Sequence, residues 1–269
     1  MKRTVRRVLS GCFAAVFALS VMMLVSQWLD SRRDAAATNT AQQLAAVTVS
    51  EQEAPLAAEP KTEWIPAPVA DEDPYVEVLA AMDLTALQQV NPDVVGWILI
   101  PGTAIDYPIL QTADNQYYLE HSWDGTPNKY GAIFVETMCA ADFTGFSTIV
   151  YGHNMRNGSM FAALHDFADP QFRAEHPYIY IRTADGVYRY RVFATYLADV
   201  ESPTYGLSFN QQKTRENFIG HALASSEFVP ESYPVTTDRI LTLSTCTGRG
   251  YESRRVVQAY LEMVQVERS

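Results

Sequence analysis

A cysteine near the C-terminus stands where a reactive side chain would be displayed. Cys246 ends the run Leu241-Thr-Leu-Ser-Thr-Cys246, and the glycine-containing stretch Thr247-Gly-Arg-Gly250 follows it. Loops that open at strand ends carry many catalytic residues, and a thiolate beside a cation or a base is a nucleophile. The alternative is a buried cysteine that packs as a small apolar side chain. Position alone does not decide between the two.

A histidine occupies a comparable place in the sequence. His153 follows Thr148-Ile-Val-Tyr-Gly152 and begins a polar loop. Imidazole titrates near neutrality, which suits this side chain to proton transfer. The other histidines fall in loops or helical segments, where solvation or ordinary packing is expected: His121, His165, His176 and His221.

An arginine follows the cysteine closely. Arg254 opens the last apolar run, eight residues after Cys246. A guanidinium is not a base at ordinary pH, but its fixed donors can hold an oxyanion. Arg255 is adjacent and would point to the opposite face of a strand, so spacing alone does not say which arginine faces the site. A thiol, a base and an oxyanion donor together predict acyl transfer through cysteine.

The folded body that must position these residues begins near residue 74. Helix-spaced apolar residues predict one helix over 74–90, and a second helical segment is predicted at 211–224, between strands. Asp185-Gly186 predicts a hairpin. The remaining pattern predicts a mainly β fold that closes into a single barrel. Its eight β-type runs cover residues 95–100, 105–110, 131–135, 147–152, 178–182, 187–194, 239–244 and 254–264.

The N-terminus has the pattern of a membrane anchor. Residues 1–7 are a basic tail and residues 8–29 are mostly apolar, which is long enough to span a hydrocarbon core of about 30 Å. The basic tail should stay cytoplasmic, so the rest of the chain is expected outside the cell. The alternative is a cleaved signal peptide. Residues 30–73 show no apolar period and predict a flexible extracellular stalk, followed by a catalytic domain over 74–269.

Composition excludes several classes of protein. The net charge of the chain is −11, and six of its 20 Lys and Arg residues lie within residues 1–33. The rest of the chain is therefore strongly acidic and lacks the basic face that nucleic acid requires. Three cysteines allow at most one disulfide in the body, Cys139–Cys246, which is too few for a disulfide scaffold. The sequence shows no cluster of metal ligands and no nucleotide-binding loop, so neither a metal nor another cofactor is expected.

At this point the sequence resembles the sortases, and within them class B. The sortase cysteine motif is similar to Thr242-Leu-Ser-Thr-Cys246, and Arg254-Arg-Val-Val-Gln-Ala259 fits the arginine strand if Arg254 is the catalytic one. One departure is Gln258, which stands where an apolar residue or a histidine is usual, and the loop from Cys246 to Arg254 is short. The other matching segments are Asn91-Pro-Asp-Val-Val-Gly-Trp-Ile98, Ile105-Asp-Tyr-Pro-Ile-Leu110, Asp114-Asn-Gln-Tyr-Tyr-Leu119 and Tyr151-Gly-His-Asn-Met155.

The resemblance implies a fold and a reaction. The fold would be an eight-stranded sortase-type β-barrel with an N-terminal helix, a helix before the cysteine strand and an N-terminal transmembrane helix. The reaction would be transpeptidation of secreted proteins at a C-terminal sorting motif, with an amine of peptidoglycan or a pilin lysine as acceptor. His153, Cys246 and Arg254 would be catalytic. The substrate groove would be lined by Asn115, Leu119, Tyr151, Ser244 and Thr245.

Three other interpretations compete with this one. An L,D-transpeptidase would carry a Ser-His-Gly-Cys-type motif, which is absent. A papain-like hydrolase runs from cysteine to histidine along the chain, whereas here His153 precedes Cys246. A non-catalytic, membrane-anchored β-domain that binds the cell wall or a partner protein would not need a reactive thiol, so thiol labelling discriminates it from an enzyme.

Overall fold

The computed structural model describes residues 2–46, 73–247 and 252–266. Residues 47–72, which make up much of the expected stalk, lie outside the described part of the chain. The helices are α1 (Lys2–Ala46), α2 (Pro74–Ala80), α3 (Leu84–Val90), α4 (Pro170–Glu175) and α5 (Gln212–Ser225).

Eight strands close into a barrel, as the sequence predicted. Around the barrel the order is β1, β2, β3, β4, β7, β8, β6, β5, and β5 pairs with β1 to complete it. The pairs β2–β3 and β4–β7 are parallel and the other pairs are antiparallel. The strands are β1 (Val94–Leu99), β2 (Asp106–Leu110), β3 (Ile133–Val135), β4 (Ser147–Tyr151), β5 (Tyr178–Thr183), β6 (Gly186–Asp199), β7 (Ile240–Cys246) and β8 (Ser253–Val266).

Alternation along β7 shows how the barrel is filled and covered. Leu241 and Leu243 are fully buried in the core inside the barrel, and successive side chains on a strand point to opposite faces. Ile240 lies on the outer face and packs with Phe218 and Ala222 of α5. Strand β7 is therefore buried on both sides up to its last residue, Cys246.

The predicted helix over residues 74–90 is wrong in one respect, because it is two helices. Asp83 interrupts it and caps α3, with its carboxylate accepting a hydrogen bond from the Ala86 amide at 3.1 Å. A short acidic side chain favours a helix N-terminus over a helix interior, which explains the break. The predicted helix at 211–224 is confirmed by α5, and the hairpin at 185–186 by the antiparallel pairing of β5 with β6. Helix α4 was not predicted.

Helix α1 corrects the prediction of a flexible stalk for residues 30–46. These residues continue the helix to Ala46, and Ala41 and Ala45 are fully buried against the body, in a cluster with Leu79 of α2 and Leu87 of α3. Alanine has the highest helix propensity, but so small a side chain adds little to an apolar periodicity. The contact was therefore invisible in the sequence pattern.

The sequence also predicted a membrane-spanning helix over residues 8–29, and those residues lie within α1. Among the helices of the described residues, none combines the length and the apolar character needed to cross a membrane.

Gln258, the departure in the last strand, is fully buried and satisfied on the outer face of the barrel. Its Nε2 donates to Thr242 Oγ1 at 3.0 Å, and its Oε1 accepts from the Tyr196 hydroxyl at 3.0 Å. The same hydroxyl lies 2.9 Å from Thr204 Oγ1. Gln258 therefore ties β6, β7 and the 203–205 turn together beneath α5.

Replacing this residue by an apolar one of similar size should destabilise the fold. Gln258→Leu leaves the Thr242 hydroxyl oxygen without its donor and the Tyr196 hydroxyl hydrogen without the Gln258 acceptor, and we expect a loss of about 1–3 kcal/mol in the free energy of unfolding. Urea unfolding measures it. Gln265→Leu, at an exposed position of the same strand, is the matched control and should change stability by less than about 0.5 kcal/mol. Equal stability of the two variants would contradict the assignment.

Candidate active site

The pairing of β7 with β8 sets the arginine beside the thiol. Cys246 is registered directly opposite Arg254, so the two side chains share a face of the sheet. Arg254 Nη1 lies 3.0 Å from Cys246 Sγ. Arg255 points to the other face, where its Nη1 donates to both carboxylate oxygens of Glu227 at 2.8 Å. The structure therefore resolves the choice that spacing left open, because Arg254 is the arginine at the sulfur.

Strand β4 brings the histidine to the same end of the barrel. It runs parallel to β7 with Tyr151 opposite Ser244, and the Gly152 amide donates to the Ser244 carbonyl at 3.2 Å. The carboxyl ends of both strands therefore lie side by side, so His153 and Cys246 emerge at one edge. This proximity comes from the parallel pairing, and the order of the motifs along the chain does not reveal it.

The imidazole of His153 has a defined hydrogen-bond partner. Its Nε2 lies 3.1 Å from the carbonyl oxygen of Leu119. A carbonyl oxygen only accepts, so Nε2 carries the hydrogen, and in the neutral ring Nδ1 is then the basic atom. The Leu119 carbonyl thereby selects the nitrogen that is free to take up a proton.

One cavity of about 210 Å³ joins these groups. The three predicted catalytic residues and all five predicted substrate-groove residues line it, and the two remaining lining residues, Phe134 and Gly152, were not predicted as parts of the site. The lining is Asn115, Leu119, Phe134, Tyr151, Gly152, His153, Ser244, Thr245, Cys246 and Arg254. The structure thus gathers every candidate residue in one place, while their individual roles remain predictions.

A buried carboxylate that the sequence analysis missed organises one wall. Glu136 is 7% exposed; its Oε1 accepts from Asn115 Nδ2 at 2.7 Å and its Oε2 from the Tyr151 hydroxyl at 3.0 Å. Burial, and then the charge of Glu136, raise the pKa of Tyr151. Tyr151 therefore stays a neutral phenol whose hydroxyl is fixed by its hydrogen bond to Glu136. No pattern around Glu136 in the sequence points to this role.

Two further side chains near Cys246 were missed. The Tyr205 hydroxyl lies 2.9 Å from Ser244 Oγ, and burial raises the pKa of this phenol. His165 Nε2 lies 3.1 Å from the Cys246 carbonyl oxygen, although the sequence suggested only solvation or packing for it. Both contacts join residues far apart in the chain, so local sequence gave no signal for them.

The second cysteine of the body has the properties of a packing residue. Cys139 and Cys246 are both free, so the disulfide that the sequence allowed does not form. Cys139 Sγ lies 3.5 Å from the Ser147 carbonyl, and burial raises the pKa of its thiol. Within the described residues, no group of three or more His, Cys, Asp or Glu side chains could hold a metal ion.

Comparison with known proteins agrees with this geometry. The sortase domain family matches residues 98–262. Sortase B of Listeria monocytogenes is 36% identical over 176 residues, which cover 65% of this chain and 72% of that protein. A substrate complex of Staphylococcus aureus sortase B superimposes with a TM-score of 0.64 at 28% identity, over 67% of this chain and 85% of that one. Sortase B of Clostridium perfringens gives 0.64 at 30% identity, over 67% and 100%.

The fold of this chain is thus shared with sortase B proteins of known structure. This chain belongs to the sortase family, and its relatives place it in class B.

The two thiols of the body should differ sharply in reactivity. Cys246 lines an open cavity and contacts a guanidinium that stabilises negative charge on sulfur, whereas the raised pKa of Cys139 leaves less thiolate there at neutral pH. We expect an alkylating reagent to modify Cys246 well before Cys139 in the native protein, as read by peptide-mapping mass spectrometry. Arg254→Ala should slow the reaction of Cys246, and Arg255→Ala should not. Equal labelling of both cysteines would contradict this.

Proposed function

We propose that this protein is a membrane-anchored sortase that cleaves a C-terminal sorting motif of secreted proteins. The acyl group would pass through a thioester on Cys246 to an amine of peptidoglycan or to a pilin lysine. The observation that carries the proposal is the 3.0 Å contact between Arg254 Nη1 and Cys246 Sγ, at the mouth of a cavity that His153 also lines.

The first step is attack by the Cys246 sulfur on the threonine carbonyl carbon of the sorting motif. The carbonyl oxygen gains negative charge as the carbon–sulfur bond forms. Arg254, whose guanidinium already contacts the sulfur, donates to that oxygen, so one cation stabilises the thiolate before attack and the oxyanion after it. Collapse of the intermediate breaks the peptide bond and leaves the thioester.

His153 moves the protons. The departing amine takes a proton from the imidazolium, and the incoming amine returns one to the neutral ring as it attacks the thioester. Because the Leu119 carbonyl occupies the Nε2 hydrogen, Nδ1 is the atom that exchanges protons in both half-reactions. The amine acceptor then completes the amide as the carbon–sulfur bond breaks, and Cys246 leaves as a thiolate beside the imidazolium, which restores the starting state.

The walls of the cavity supply recognition of an extended peptide. Leu119 and Phe134 offer apolar surface, and Asn115, Tyr151 and Ser244 add polar groups at fixed positions. Asn115 and Tyr151 are held from behind by Glu136, so they are pre-organised for a ligand. The relative from Staphylococcus aureus was solved as a substrate complex, which supports a peptide as ligand here as well.

Wild type should join a sorting peptide to an amine, and Cys246→Ala should not. Arg254→Ala removes an oxyanion donor and should lower kcat by about 10²–10³-fold, whereas Arg255→Ala, which breaks the pair with Glu227, should leave kcat nearly unchanged. A library of threonine-containing sorting peptides with candidate amines, read by mass spectrometry, measures all four proteins. Turnover by Cys246→Ala would overturn the mechanism. Loss of activity in Arg255→Ala alone would reverse the two arginine roles.

The proposal also places the catalytic domain outside a cell membrane, with residues 8–29 as a single-pass anchor. The basic tail and the apolar stretch of the sequence support it, and large apolar side chains in that stretch are exposed, including Phe17, Met22 and Trp28. We expect the protein in the membrane fraction, with its catalytic domain digested by protease added to intact protoplasts. Recovery of a protected, soluble protein would contradict this localisation.

A further inference from the structure

The segment that holds His153 in place is itself held by helix α1. We call residues 117–131 the bridge segment, because it reaches the active site at one end and α1 at the other. At the active-site end, the Leu119 carbonyl accepts from His153 Nε2, and Leu119 also lines the cavity.

The contacts with α1 lie on the other side of the bridge segment. Trp123 Nε1 donates to the Ala37 carbonyl at 2.8 Å. Asn128 Nδ2 donates to Asp34 Oδ1 at 2.9 Å, and Lys129 pairs with Asp30. Three side chains of the segment therefore contact successive turns of α1.

The bridge segment is built to transmit position. The Asn128 amide donates to the Glu120 carbonyl at 2.8 Å and the Ala132 amide to the Tyr118 carbonyl at 2.9 Å, so residues 128–132 are tied to the residues around Leu119. Gly131 has a φ of +61°, and a Cβ there would lie 2.4 Å from the Tyr118 carbonyl oxygen and 2.8 Å from that of Leu119. The backbone of residues 128–132 is therefore packed directly against the backbone of Tyr118 and Leu119.

Asp34 is the carboxylate of α1 that contacts Asn128 of the bridge segment. It is 6% exposed. Burial raises its pKa, while the hydrogen bond from Asn128 and the positive charge of His153 lower it. A buried carboxyl is costly unless it is hydrogen-bonded, and Asn128 supplies that bond. Asn128 is in turn oriented by its own Oδ1, which accepts from the Tyr130 amide at 3.1 Å.

We infer that residues 30–46 of α1 are a positioning element of the active site: through the Asp34–Asn128 contact and the bridge segment they fix the Leu119 carbonyl, and thereby the orientation of His153. The inference rests on the proposed transpeptidase function for its kinetic consequence. It also has a consequence without substrate, since α1 would determine which imidazole nitrogen carries the hydrogen. The helix that leads from the N-terminus into the body thus acts as a part of the catalytic apparatus.

The test compares variants of the full chain in detergent micelles. Asp34→Ala and Asn128→Ala each remove the contact from one side. Asp34→Asn keeps an oxygen that accepts from Asn128 and removes only the charge. Gln42→Ala is the matched control, because it removes a different contact between α1 and the barrel, the bond from Gln42 Nε2 to Asp106 Oδ2 at 3.0 Å, away from the bridge segment.

The first readout is the imidazole nitrogen spectrum of 15N-histidine-labelled protein at a pH where the ring is neutral. Wild type, Asp34→Asn and Gln42→Ala should show His153 as a single Nε2–H tautomer. Asp34→Ala and Asn128→Ala should show a mixture of tautomers at His153. His221 of α5, whose Nε2 lies 3.3 Å from Thr204 Oγ1, should be unchanged in every variant and reports that the fold is intact.

The second readout is peptide transfer to an amine. Asp34→Ala and Asn128→Ala should lower kcat by up to about 100-fold, as a small misplacement of a catalytic group does, and Asp34→Asn should restore it. A wild-type protein without transfer activity would refute the proposed function and leave the spectroscopic test standing. An unchanged His153 spectrum in both alanine variants would overturn the inference, as would an Asp34→Asn variant that behaves like Asp34→Ala. If Asp34→Ala does not fold, Asn128→Ala decides.

Discussion

The register between β7 and β8 is the constraint on which the active site depends. Cys246 faces Arg254 because β8 is held in register by a strand on each side. Thirteen residue pairs join β8 to β6, between Gly186 and Asp199, and seven join it to β7, between Ile240 and Cys246. A slip of one residue would turn every side chain of β8 to the opposite face. Arg255 would then stand at the thiol, and Val257 and Ala259 would leave the core. Packing inside the barrel therefore enforces the geometry of the chemistry.

Around that pair, separate elements of the barrel position the other groups of the site. Parallel pairing of β4 with β7 brings His153 to the edge where Cys246 lies. The bridge segment supplies the carbonyl that orients the imidazole, and Glu136 holds Asn115 and Tyr151 from behind. His153, Asn115 and Tyr151 are thus each held by a hydrogen bond to another part of the chain. This arrangement gives precision, since rigid strands and satisfied hydrogen bonds limit the positions that each side chain can take.

The sequence predicted those features that depend on residues close together in the chain. Alternating apolar residues and turn residues predicted the eight strands, and the identities of Cys246, His153 and Arg254 predicted a thiol, a base and an oxyanion donor. It did not predict contacts between residues that are distant in the chain. Glu136, Tyr205 and His165 contact residues of the site only because the fold brings them there. Two errors have physical causes of their own. Asp83 caps a new helix inside what looked like one helix, and residues 30–46 pack through alanines too small to show a periodicity.

The central claim is that the acyl group of a secreted protein rests on Cys246 between two half-reactions. Its most direct test is intact-protein mass spectrometry of the wild-type chain after mixing with a sorting peptide in the absence of amine. The account predicts a mass increase equal to the acyl fragment, located on Cys246 by fragmentation, that disappears when an amine is added and reappears as the joined product. Formation of that product with no adduct on Cys246 at any time would contradict it.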